Sequence, residues 1–147
     1  MSIAINVSRD DMRIALSEQR VRDIVRAVCR RERVANALIS VAFIRNSRMA
    51  RMNREYLGHR GATDVITFEL GSAQQKSQPP VIIGDIYIAP EVARHNARGQ
   101  GIGVRTELVR LIVHGTLHVL GYTHDEGASR MHGEMWRRQE AIVAAIA

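Results

Sequence analysis

The chain has 147 residues, a single cysteine and a formal net charge of +6, a length that suits one domain with a core large enough to fold without staples. Hydrophobic residues make up 46% and charged residues 24%, which excludes a disordered chain. The lone Cys29 excludes an internal disulfide framework, no apolar run reaches the ~18 residues of a membrane span, and the polar start MSIAINVSRDD reads against a signal peptide.

A cytoplasmic domain is therefore expected, and its basic charge is one-sided. Residues 1–60 hold 13 Arg against six acids, whereas residues 61–147 hold eight bases against nine acids. Such a field is the footprint of a polyanion partner. Because 20 of the 21 bases are Arg, a GC-rich coding bias is the competing explanation.

Ile3, Ile5 and Val7 alternate with small or polar residues, which predicts a first strand. Glu18 to Arg33 predicts a helix, with Val21, Ile24, Val25 and Val28 on one stripe and Cys29 at its edge. Leu38 to Ile44 predicts a second strand. Asn46 or Ser47 then caps a helix that runs through Tyr56. Met49, Met52 and Tyr56 form its apolar stripe, and Arg48, Arg51 and Arg54 line a neighbouring face. Residues three apart on a helix are neighbours, so these guanidinium groups are candidates to grip successive phosphates of a nucleic acid; the alternative is a solvated face.

Thr63 to Leu70 predicts a third strand. Residues 71–80, GSAQQKSQPP, form a polar connection. Val81 to Ala89 predicts a fourth strand interrupted by Gly84–Asp85. Pro90 suits the first turn of a helix through Arg98. Val104 to Leu120 is the longest apolar helix and Gly121 ends it. Glu126 to Ala147 predicts a last helix with Met131, Met135, Ile142 and Ile146 facing inward. Strands and helices mix without strict alternation, so the fold class is α+β, a single domain over 1–147 with a four-stranded mixed sheet and about five helices.

The stretch HGTLHVLGYTH, residues 114–124, carries the chemistry. His114 and His118 stand one turn apart on one helix face. Gly121 can fold the chain back past the helix end and bring His124 toward them. Three imidazoles without a fourth protein ligand describe a catalytic rather than a structural zinc site, because structural sites are closed by four ligands. One zinc ion per chain is the expected cofactor. The spacing H-x3-H-x2-G-x2-H is also that of metzincin peptidases, but the general-base Glu those enzymes need after the first His is Gly115 here. His95 and His132 lack ligand spacing and are read as surface residues.

HGTLHVLGYTH resembles the H-G-x-L-H-L-x-G-Y-D-H signature of the YbeY family. ARMNREYLGHRGATDVITFEL (50–70) is similar to the family's Leu-Asn…Tyr-Arg-Gly…Thr-Asp-Val-Leu-Ser-Phe segment, and GDIYIAPEVARHNA (84–97) to its Gly-Asp-Ile segment. The resemblance implies a small α+β domain in the bacterial cytoplasm that acts as a single-strand-specific, zinc-dependent endoribonuclease. It implies a role in 16S ribosomal RNA 3′-end maturation and ribosome quality control. It assigns His114, His118 and His124 as zinc ligands. The partners it implies are RNA of the small ribosomal subunit, with ribosomal proteins or a ribosome-associated GTPase.

Two positions depart from the family pattern. The family's active-site Arg falls on Leu57, and the Asp before the third His is Thr123, with Asp125 following. Arg54, His59 and Arg60 are the candidate catalytic substitutes for the missing Arg. Another small metallohydrolase, or a ribosome-associated factor in which the metal only pins the last helix, are the competing functions.

Overall fold

The computed structural model describes residues 2–73, 81–122 and 133–146. Among these residues the order is β1 (Ser2–Arg9), α1 (Glu18–Arg31), β2 (Asn36–Phe43), α2 (Asn46–Leu57), β3 (Val65–Ala73), β4 (Val81–Ile88), α3 (Pro90–Gln100), α4 (Val104–Val119) and α5 (Glu134–Ile146). The strands form one mixed sheet in the order β1-β2-β4-β3. β1, β2 and β4 run parallel, and β3 runs antiparallel to β4. This is the expected α+β architecture.

Side chains alternate across a strand, and here the alternation separates two apolar layers. Ala37, Ile39, Val41 and Phe43 of β2, with Ile86 and Ile88 of β4, enter the main core beneath α1, α4 and α5. A smaller cluster holds Ile44, Met49, Ile66 and Ala89, with Phe68 and Tyr87 packed against it. The expected stripe of α2 is thus only half internal. Met49 is fully buried, whereas Tyr56 is 62% exposed and meets Phe68 edge-on.

Helix α4 is the central element. It packs on β3, β4, α1, α3 and α5, and 10 of its 16 residues are buried. A helix enclosed on most sides must be apolar around most of its circumference. Two glycines let it lie close to the sheet. A Cβ on Gly84 of β4 would stand 2.3 Å from Val119 Cγ1, and one on Gly115 of α4 would stand 2.7 Å from Ile86 Cγ2. Neither position has room for a side chain.

Several boundaries differ from the sequence reading. Helix α1 stops at Arg31 rather than Arg33, because Arg33 takes a left-handed conformation (φ 58°) and the Val34 amide turns back to the Cys29 carbonyl at 2.9 Å. Neither Asn46 nor Ser47 caps α2. The cap residue is Arg45, which makes no side-chain cap bond; instead Glu91 on α3 accepts the Asn46 amide at 3.4 Å. Strand β3 begins at Val65 and runs on through Ala73, into the expected connection. The proposed beginning of the last helix, with Met131, lies outside the described residues, and Ile146 at its end is partly buried.

Candidate metal centre

Four polar residues of α4 share one stripe. Glu107, Arg110, His114 and His118 follow at intervals of three, four and four, which keeps them on one side of a 3.6-residue helix. The two imidazoles meet at a ring-centroid distance of 4.7 Å and an interplanar angle of 78°.

Each imidazole is oriented through Nδ1. His118 Nδ1 lies 2.9 Å from the Tyr122 carbonyl oxygen. A carbonyl can only accept, so Nδ1 carries a proton and Nε2 is the nitrogen a metal would take. His114 Nδ1 lies 2.7 Å from Gln139 Oε1, and the amide nitrogen of Gln139 donates to Glu140 at 3.2 Å. That second bond fixes the amide so that its oxygen faces the ring. Both histidines are therefore held in the tautomer a zinc ligand uses, with the non-ligating nitrogen on an oxygen acceptor.

The anchors are themselves tied down. The Tyr122 hydroxyl donates to Glu32 at 2.5 Å, and Glu32 also pairs with Arg138 of α5 at 2.6 Å. Its bond to Glu32 pushes the Tyr122 phenol above its ordinary pKa.

Both histidines line a cleft of about 720 Å³ between α4, α5, β3 and the end of α2. Its other lining groups include Leu57, Asp64, Glu107, Arg110, Trp136 and Gln139. Glu107 is only 6% exposed. Burial, with the nearby Asp64 charge, raises its carboxyl above the ordinary carboxylate pKa, and Arg110 partly opposes that shift. Arg110 pairs with Glu140 at 2.9 Å.

The donor set fits zinc as far as it is described: two oriented imidazoles at helical spacing, beside a partly polar cleft. His124, the third expected ligand, lies outside the described residues, as do Thr123, Asp125 and His132. Among the described residues no group of three ligand-type side chains converges.

The other expected site residues lie elsewhere. Arg54, His59 and Arg60 are exposed on the last turn of α2 and the loop beyond it, and none belongs to the cleft lining. The Asn53 side chain holds that loop by donating to the Gly61 carbonyl at 2.9 Å. Arg48, Arg51 and Arg54 are all exposed, but Arg48 is engaged by Asp10 at 2.8 Å. Sequence reasoning missed Asp64, Glu107, Arg110 and Gln139. The polar stripe 107–110–114–118 was a usable signal for two of them; nothing local pointed to Asp64 or Gln139.

A family model described as Endoribonuclease YbeY matches residues 4–147. The chain belongs to the YbeY family. An Endoribonuclease YbeY of Syntrophus aciditrophicus is 30% identical over 142 residues, covering 97% of this chain and 89% of that one. One of Exiguobacterium sibiricum is 40% identical over 116 residues, covering 74% and 72%. The solution structure of a Thermotoga maritima protein matches with a TM-score of 0.64 at 20% identity, covering 97% of this chain and 88% of that one; this likeness concerns the fold. Membership in the YbeY family agrees with the resemblance carried by HGTLHVLGYTH.

Proposed function

We propose that the protein is a zinc-dependent, single-strand-specific endoribonuclease that acts in the cytoplasm on 16S ribosomal RNA of the small subunit, in 3′-end maturation and ribosome quality control. The observation that carries this reading is the pair His114 and His118, each fixed through Nδ1 and facing one cleft. Membership in a family named for endoribonuclease activity supports the substrate class. Ribosomal proteins or a ribosome-associated GTPase are the proposed protein partners.

In this reading His114, His118 and His124 hold the metal. When bound, zinc supplies Lewis-acid polarisation and a source of hydroxide near neutral pH. The chain's own residues orient and exclude. Gln139 and the Tyr122 carbonyl keep two imidazoles in the ligating tautomer, and Leu57 with Trp136 gives the cleft apolar walls. Arg51 and Arg54, exposed on α2, hold flanking phosphates.

A peptidase reading needs a general base at position 115. Gly115 faces Ile86, and a Cβ there already meets that side chain at 2.7 Å, so the position is committed to packing. The non-catalytic factor is kept as the second reading by one observation: Leu57, at the position of the family's Arg, lines the cleft.

The test is metal content and cleavage together. Purified protein is expected to carry close to one zinc per chain, and His114→Ala or His118→Ala to lose it. Unstructured ribosomal RNA is expected to be cut in a chelator-sensitive way. Retention of zinc by both variants overturns the metal site; intact RNA beside tight RNA binding selects the factor.

A further inference from the structure

Hydrolysis of a phosphodiester places growing negative charge on the phosphoryl oxygens, and a fixed cation beside them is worth orders of magnitude in rate. The described cleft lining contains a single guanidinium, that of Arg110. It stands one turn before His114 on α4, on the same side of the helix. Long side chains one turn apart meet over a shared patch of surface, so Arg110 is within reach of a phosphate that contacts His114's neighbourhood.

The guanidinium is held rather than loose. Its Nη2 donates to Glu140 at 2.9 Å. Glu140 accepts in turn from Gln139 at 3.2 Å, and Gln139 accepts from His114 Nδ1 at 2.7 Å. One chain of hydrogen bonds therefore fixes the imidazole and the guanidinium together. Among the described residues the buried Arg110 Nε–H has no hydrogen-bond partner, although a buried donor ordinarily finds one. Glu140 engages Nη2, and the Arg110 side chain still keeps 27% of its surface exposed. The fork geometry of arginine suits two phosphate oxygens.

Resting on the endoribonuclease reading, we propose that Arg110 is the catalytic cation of this site, which grips the phosphate to be cleaved, and that Glu140 is its positioning residue. The anionic ligand is a phosphodiester of single-stranded RNA.

The experiment compares the zinc-loaded full chain with Arg110→Ala, Arg110→Lys and Glu140→Gln, and with Arg105→Ala on the exposed side of α4 as control. Cleavage of an unstructured RNA and binding of a non-cleavable oligonucleotide are both measured. Arg110→Ala is expected to lower kcat about 10²- to 10³-fold while zinc content stays at the wild-type level. Millimolar guanidinium ion is expected to restore part of that rate, a rescue that a purely structural role does not give. Glu140→Gln is expected to fall between wild type and Arg110→Ala, and Arg105→Ala to match wild type.

Wild-type cleavage by folded Arg110→Ala overturns the proposal. Should Arg110→Ala not fold, Arg110→Lys decides: it preserves charge but loses the fork, and an undiminished kcat overturns the proposal. Should the wild type leave RNA intact, the endoribonuclease reading falls, and binding then judges Arg110 by itself. A salt dependence flattened by about 0.7 log units per log unit of salt in the Arg110 variant upholds the phosphate contact, and an unchanged slope removes it.

Discussion

Glu107 and Cys29 illustrate how burial sets the chemistry of single residues. Burial and the neighbouring Asp64 raise the Glu107 pKa, so folding favours the protonated form relative to the unfolded chain. The stability that goes with this form is fully present below the ordinary carboxylate pKa and is lost as pH rises through the raised value. Glu107→Gln is therefore expected to have the higher thermal midpoint at neutral and alkaline pH, and the two midpoints are expected to converge in acid. Thermal melts across pH check this, and a constant difference at all pH values contradicts it. Cys29 is fully buried, and burial pushes its thiol up to about 11. The thiolate is the reactive species. An aromatic disulfide reagent is thus expected to leave Cys29 untouched in the native protein and to titrate one thiol per chain after denaturation.

At the scale of elements, the approach of α4 to the sheet decides where the site stands. Overpacking a filled interior typically costs about 1–3 kcal/mol. Gly84→Ala is expected to destabilise by that amount, because its Cβ would meet Val119 at 2.3 Å. Val119→Ala makes room, so the double variant is expected to lose less than the sum of the two single losses. Denaturant midpoints of the four proteins measure this coupling; strict additivity would refute the close approach. The same contact marks where legibility ends. Gly84 was visible as a break in an apolar run, but which helix required the gap is a long-range fact with no local signature. The four strands and the long helices were legible because their periods of two and 3.6 residues are local. The end of α1 was not, because it depends on Arg33 taking a left-handed turn that favours glycine.

For the whole molecule, the charge of the first 60 residues resolves into groups with different commitments. Arg48 pairs with Asp10 at 2.8 Å, and Arg45 is occupied by the Asp11 carbonyl. Arg51 and Arg54 make no side-chain bond or ion pair among the described residues. An exact three-residue interval also winds about 60° around a helix at each step, so the three guanidinium groups do not form a straight row. Arg51→Ala and Arg54→Ala are each expected to reduce the salt slope of RNA binding by about 0.7, and Arg48→Ala by less. Equal slopes in all four proteins would return this face to plain solvation. The candidate site was legible to a comparable degree. His114 and His118 could be read from four-residue spacing on one helix. Asp64 and Gln139 could not, since the turn before β3 and helix α5 bring them to the cleft from far along the chain.

Gln139 contributes no expected ligand, yet its amide joins the His114 ring on one side to the carboxylate that steadies Arg110 on the other. A tilt of α5 would therefore move the supports of His114 and Arg110 together. A molecule wedged between α4 and α5 would silence the site without ever occupying it.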